Sequence, residues 1–353
     1  MEKHGIRLLS PFQTAAGEVI LADRDCLIDS PTGTGKTLLY LLPLLSRLEP
    51  QGSGRRKTKI LIICPTRELS LQTAEVVRGL LETTEGIRTA VLCGGTDMNS
   101  QIRAFHNGAD IVIGTPSRLC SHLRRHTLKT DAVSCTVIDE ADMLAEKGFM
   151  SDMSVLLAAA EGSQKILCAA TDPDAAMDAF GKYLNDPAVL VNHEKKPADR
   201  LKVFHVIVRE DRKITALVRI LRNENTQAVV FTRKRSTASF VSEKLNGSGF
   251  RSAAVRSDSD YRQRRETMKQ FRAGRLDVLC TTDLFSRGMD VPLDVVIFYD
   301  PADNESILIH RTGRTARFSA SGRVIHILTP DQKHVLKTIE KTASVRSCPY
   351  GSQ

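Results

Sequence analysis

Short runs of consecutive apolar, often β-branched residues alternate along the first half of the chain with longer segments of helical periodicity. The runs are CLIDS from Cys26, KILIICP from Lys59, TAVLCGG from Thr89, ADIVIGTP from Ala109, CTVIDEAD from Cys135 and KILCAAT from Lys165. Strands this apolar have no solvated face, and the helix-length stretches between them supply crossovers. The pattern therefore predicts a parallel sheet covered on both sides. A polar stretch, NHEKKPADR from Asn192, interrupts it. It restarts with VFHVIV from Val203, AVVFT from Ala228, DVLCTTD from Asp277, DVVIFYD from Asp294 and RVIHILT from Arg323. The reading is an α/β chain of two domains: residues 1–191, a linker over 192–202, and residues 203–353. QGSGRRKTK, residues 51–59, reads as an exposed loop within the first domain.

The length of 353 residues agrees with two cores rather than one. Leu38–Leu45, the longest apolar run, is broken by Pro43 and too short to span a bilayer, and the N-terminal residues show no secretory or organellar presequence. An intracellular protein without a membrane partner is expected, its compartment open. The eight cysteines stand singly, so neither a zinc site nor a disulfide framework is suggested. His122 and His126 share a helical face, but their neighbours Arg124, Arg125 and Lys129 argue against a metal. Charge changes the picture more. Residues 200–353 hold 28 Lys and Arg against 16 Asp and Glu, net +12, while residues 1–199 hold 22 against 25, net −3. That asymmetry points to a polyanion that leans on the second half.

SPTGTGKT, Ser30 to Thr37, follows an apolar run and opens a helical one, the context of a phosphate-binding loop. Gly33 and Gly35 allow backbone N–H groups to turn around phosphate oxygens. Lys36 reaches the β- and γ-phosphates, and the Thr37 hydroxyl ligates Mg2+. Ser30, Pro31, Thr32 and Thr34 complete the loop, Ser30 standing where the strict pattern has Gly. In VIDEAD, Asp139 and Glu140 lie at the carboxyl end of a strand, where open α/β sheets bind ligands. Alone, such a pair reads as a helix N-cap. Downstream of a phosphate loop it reads as a catalytic pair, Asp139 holding Mg2+ partly through water and Glu140 orienting or deprotonating the attacking water.

With these motifs in place, the chain resembles the DEAD-box RNA helicases, two-domain ATPases of helicase superfamily 2. The resemblance runs from Gly5 to about Arg323. It is carried in order by PFQ (11–13), SPTGTGKT (30–37), PTREL (65–69), GG (94–95), TPSR (115–118), DEAD (139–142), AAT (169–171), VVFT (229–232), TTDLFSRGMD (281–290) and HRTGRTAR (310–317). It implies two tandem RecA-like domains, each a parallel sheet covered by helices, with an ATP and RNA cleft between them. It implies that Gln13 reads adenine, that Gly288 and Asp290 meet the phosphates and sugar, and that Arg314 and Arg317 reach the γ-phosphate, with His310 linking toward DEAD and AAT. It implies RNA contacts, mainly to the backbone, from Pro65, Thr66, Arg67, Gly95, Thr115 and Arg118, and from Arg264, Thr281 and Asp283. Ala169, Ala170 and Thr171 match the segment that couples hydrolysis to strand separation.

Five departures from the family pattern are visible: Ala169 for Ser, Ser117 for Gly, Arg256-Ser257 with Tyr261 for the His-Gly and Gln, Ala316 for Gly, and a start downstream of the aromatic that precedes the adenine-reading glutamine. Arg256 in that place is expected to add a phosphate contact. The hydrolytic set is intact. The expectation is an ATP- and Mg2+-dependent RNA helicase that separates duplexes locally or remodels RNA–protein complexes, its target chosen by surface patches or an adaptor protein. The alternatives are an ATP-gated RNA clamp, a DNA-directed helicase of the same superfamily, and an inert scaffold.

Overall fold

The computed structural model describes residues 9–30, 34–50, 52, 54–82, 84–145, 148–192, 201–256, 261–282, 293–302, 308, 322–343 and 345–351. The chain divides into two compact units, residues 1–193 and 194–353.

The first unit is built on seven strands: β1 (Cys26–Asp29), β2 (Ile60–Ile63), β3 (Thr89–Leu92), β4 (Ile111–Gly114), β5 (Cys135–Ile138), β6 (Gln164–Ala169) and β7 (Ala188–Val191). They pair in the order β3-β4-β2-β5-β6-β1-β7, and every pairing is parallel. Alternate strand residues feed two cores. Ile60, Ile62, Ile111, Ile113 and Val137 face one side, against α1 (Pro11–Leu21), α2 (Lys36–Ser46) and α3 (Arg67–Leu80). Leu61, Ile63, Val112, Ile138 and Leu167 face the other, against α5 (Pro116–Arg124), α6 (Ala141–Leu144), α7 (Met150–Ala159) and α8 (Pro173–Phe180). The short α4 (Met98–Ala104) links β3 to β4. Both faces being covered is why the strands carry no polar alternation.

The second unit repeats the plan with β8 (Leu201–Ile207), β9 (Ala228–Phe231), β10 (Ser252–Val255), β11 (Val278–Thr281), β12 (Val295–Phe298), β13 (Gly322–Leu328) and β14 (Cys348–Pro349), ordered β10-β11-β9-β12-β13-β8-β14 and again parallel. Helices α9 (Lys213–Glu224) and α10 (Arg235–Gly247) cover one face, α11 (Tyr261–Arg272) and α12 (Val335–Ala343) the other. Two parallel sheets wrapped by helices are the α/β architecture that the apolar runs predict. Three strands escaped the pattern. β7 is an edge whose residues alternate half-buried and exposed, β10 is the small-residue run SAAV, and β14 is two residues long. None presents the continuous bulky run of a central strand. Of the eight cysteines, seven are buried thiols and Cys348 is exposed. Among the described residues no helix is long and apolar enough to cross a membrane.

Candidate functional site

Because the first sheet is wholly parallel, every strand ends at one edge, and the loops leaving that edge carry the residues singled out in the sequence. Ser30, directly after β1, is fully buried. Its N–H donates to the Ala169 carbonyl at 3.1 Å, and its hydroxyl lies 2.7 Å from that of Thr34 and accepts from Asn192 Nδ2 at 3.1 Å. The main chain thus joins the start of the loop to β6, and the hydroxyl ties it to Thr34 and to the end of β7, which a glycine could not do. Gly35 closes the loop at φ 83°, a left-handed conformation, and α2 begins at Lys36. The Lys36 ammonium is buried and has no hydrogen-bond partner among the described residues. A buried cation without a partner is costly, and a phosphate oxygen is the group that would relieve it. Thr37 lies half-buried in the same first turn. Pro31, Thr32 and Gly33 lie outside the described residues.

Gln13 is the third residue of α1 and closes a capping box: Gln13 N–H donates to Ser10 Oγ at 3.2 Å, and Ser10 N–H to Gln13 Oε1 at 3.0 Å. This fixes the amide, whose Nε2 lies against Gly35; a Cβ placed there would be 3.0 Å away. The S-x-x-Q signal for the box was present in the sequence as SPFQ.

Asp139 follows β5, its N–H bonded to the Ile63 carbonyl at 3.0 Å. One carboxylate oxygen, Oδ2, accepts from the Tyr40 hydroxyl at 2.9 Å, and Oδ1 accepts from the Glu140 N–H at 3.0 Å. Burial pushes this carboxyl above its ordinary value, while the Lys36 charge, the Tyr40 hydroxyl and the Glu140 N–H pull the other way. Burial, reinforced by the Asp139 charge, holds the Tyr40 phenol well above its ordinary value, which keeps it a donor. Glu140 adopts φ 49°, ψ 54°, and its side chain makes no cap bond to α6. A left-handed non-glycine residue costs on the order of 1–3 kcal/mol and is typical of functional positions. The plain N-cap reading of Glu140 is therefore not what the side chain does. Asp142 ties this segment to the next strand, accepting from Thr171 N–H at 3.0 Å, from Ala170 N–H at 3.4 Å and from the Thr171 hydroxyl. Ala169 itself points into the core with Leu27, Leu167 and Phe180.

The other half of the edge belongs to β2, β3 and β4. Pro65 is buried, and the Thr66 hydroxyl accepts from Leu69 N–H at 3.2 Å to cap α3. Arg67 Nη1 donates to the Gly94 carbonyl. Gly95, at φ 78°, lies against that guanidinium so closely that a Cβ would overlap it. Thr115 caps α5 through its backbone, its N–H bonded to the Leu92 carbonyl at 3.2 Å. Arg118 Nη1 donates to the Thr96 carbonyl at 3.0 Å and to Gln101 Oε1 at 3.2 Å. Buried Gln101 is set in turn by the Cys93 carbonyl, 2.8 Å from its Nε2, and by His122 Nε2 at 3.2 Å. Burial, with Arg118 and Arg125 nearby, drops the His122 imidazole to about 4. Two arginines from neighbouring helices thus pin one loop, residues 93–97. Ser117 sits inside α5 in ordinary helical backbone, where its hydroxyl donates to Asp152 at 2.6 Å, so serine is accommodated.

In the second unit, Arg264 is half-buried on α11 and Arg256 half-buried at the end of β10. Thr281 is buried at the end of β11, its hydroxyl committed to the Val255 and Thr282 carbonyls at 3.1 and 3.2 Å. Asp283, Gly288, Asp290, His310, Arg314 and Arg317, like Ser257 and Ala316, lie outside the described residues. Three features that sequence reasoning passed over belong to this account. Tyr40 and Gln101 orient expected site residues, and Arg233, Lys234 and Arg235 stand exposed where β9 opens into α10. The signal for Tyr40 was its place four residues after Lys36 in an otherwise apolar helix. For the cations it was their run at a helix start, where the macrodipole disfavours positive charge.

Comparison with known proteins adds the following. Residues 10–179 match the DEAD/DEAH box helicase family and residues 212–319 the helicase conserved C-terminal domain. The chain is similar to the ATP-dependent RNA helicase eIF4A of Debaryomyces hansenii, 33% identical over 97% of this chain and 87% of that protein. It is also similar to the ATP-dependent RNA helicase DeaD of Escherichia coli, 36% identical over 94% of this chain. The chain spans about half the length of the DeaD relatives, 53% in that case. Among solved structures, that of S. cerevisiae Dbp5 bound to RNA and ADP BeF3 superimposes with a TM-score of 0.87 at 26% identity, covering 99% of this chain and 92% of that one.

Proposed function

The chain belongs to the DEAD/DEAH box helicase family, and from that premise we propose that it is an ATP-dependent RNA helicase. RNA stimulates its ATP hydrolysis, and hydrolysis drives local, non-processive separation of short duplexes or remodelling of RNA–protein complexes. The observation that carries the reading is the convergence at one sheet edge of an orphaned buried ammonium, Lys36, with the oriented carboxylate of Asp139 and the strained Glu140.

Within it, Lys36 binds the phosphates and Gln13 presents its amide to the base. Thr37 and Asp139 are hard oxygen donors suited to Mg2+ and would hold it. When bound with the nucleotide, the ion supplies neutralisation of phosphate charge. Glu140 orients the attacking water or takes its proton, its side chain making no cap bond to α6. Asp142 connects that residue's loop to Thr171, so a shift in either segment is felt by the other. Arg67 and Arg118, with Thr66, Gly95 and Thr115, are the proposed RNA backbone contacts of this domain. The net +12 of residues 200–353, with Arg256, Arg264 and the exposed Arg233–Arg235 run, supports backbone binding by the second. Arg314, Arg317 and His310 are proposed to contribute to hydrolysis, and Gly288 and Asp290 to nucleotide binding.

The test pairs two assays on one preparation: ATPase with and without RNA, and displacement of a short RNA duplex with and without ATP, each repeated with DNA. RNA-stimulated ATPase with ATP-dependent displacement is expected. Stimulation without displacement would convert the helicase into a clamp, and stimulation by DNA alone would overturn the choice of RNA.

A further inference from the structure

We infer that Tyr40 is a positioning residue: it fixes the carboxylate of Asp139 for the divalent cation that accompanies the nucleotide and keeps that carboxylate off Lys36. The inference rests on the nucleotide-binding reading above.

Lys36 and Tyr40 are four residues apart on α2, so both project from one face of the helix. Tyr40 is fully buried. A buried phenol needs a partner, and this one reaches a residue 99 positions away, Asp139 Oδ2, at 2.9 Å. The opposite oxygen, Oδ1, takes the Glu140 N–H at 3.0 Å, and the Asp139 main chain is held by the Ile63 carbonyl. The carboxylate is thereby anchored at both oxygens and cannot rotate without losing a bond. An ionised carboxylate has about four lone-pair sites. Two are used here, and acceptor capacity remains for the water shell of a hard cation.

Without the phenol, Oδ2 would be left in a buried site within the field of the Lys36 ammonium, whose charge already acts on Asp139. A Lys36–Asp139 pair would satisfy both groups and remove both from their ligands. The hydroxyl thus keeps anion-binding and cation-binding functions separate. Tyr40→Phe removes it while conserving the volume of the ring.

The experiment titrates the 353-residue chain and its Tyr40→Phe variant with a fluorescent ADP analogue, once in excess Mg2+ and once in EDTA, with thermal unfolding of both as a folding control. Wild type is expected to bind more tightly with Mg2+. Tyr40→Phe is expected to lose about tenfold or more of that gain, the usual cost of removing an outer-sphere partner, while its affinity in EDTA stays near wild type. An equal Mg2+ gain in both proteins overturns the inference alone, as does a loss of equal size in Mg2+ and in EDTA, which would make Tyr40 a packing residue. A wild-type chain that binds no ADP overturns the nucleotide reading and the inference with it.

Discussion

The first domain's sheet edge has two halves built by different physics. Around β1, β5 and β6 buried polar groups reach buried or half-buried partners across the chain: Tyr40 on Asp139, Ser30 on Asn192, Asp142 on Thr171. Around β2, β3 and β4 the arginines proposed to meet RNA, Arg67 and Arg118, are half-exposed and are held by main-chain carbonyls, those of Gly94 and Thr96, with Gln101 behind Arg118. A compact, highly charged ligand such as a triphosphate rewards groups that are preorganised out of water. An extended polyanion is gripped by cations that stay in contact with solvent and lend themselves to salt-dependent binding.

Four experiments break or sharpen that contrast. The largest effect is expected from Glu140→Gln, which should lower kcat for ATP by about 10²–10⁴ while RNA affinity stays near wild type. Equal losses in both would join the halves into one site. Next, Arg118→Ala should weaken RNA binding and reduce the slope of log affinity against log salt by about one, with ADP affinity in the absence of RNA unmoved. Filter binding across a salt series checks this, and Gln101→Leu should give a weaker version of the same change.

The third concerns pH. Burial holds the imidazole of His122, behind Arg118, at about 4, well below the ordinary 6.5 of a histidine. Neutral in the fold, it takes up a proton more readily once the chain unfolds. The stability it contributes is therefore full above pH 6.5 and is lost as pH falls toward 4. Thermal unfolding should show the drop, and His122→Gln should flatten it. The smallest change is expected from Ala169→Ser, which puts a hydroxyl among Leu27, Leu167 and Phe180. Stability should fall by about 1 kcal/mol unless a backbone partner is found. ATPase should change little, while duplex displacement rises if this segment couples hydrolysis to strand separation.

The fold was readable because central strands buried on both faces are apolar at every position, a signal that needs no partner to interpret. β7, β10 and β14 were silent because an edge strand or a run of small residues lacks that signal. In the proposed site, Lys36, Thr37, Asp139 and Glu140 stand out in the sequence because they lie in contiguous motifs. Ser117 as a partner of Asp152 did not, since it meets a residue 35 positions away, and the helix cap of Thr66, a local signal, was passed over because the PTREL motif gave that residue another role. Thr281 shows the same limit: its hydroxyl is spent on the sheet, which no linear motif declares.

By itself the sequence determined the class of fold, the phosphate loop, the acidic pair and the basic second half. Each follows from local composition or from spacing along the chain. Only the tertiary structure decided which oxygen of Asp139 meets Tyr40, which carbonyls hold Arg67 and Arg118, and that Glu140 carries backbone strain. Those contacts join residues far apart in sequence, and a parallel sheet brings them to one edge whatever the length of chain between them.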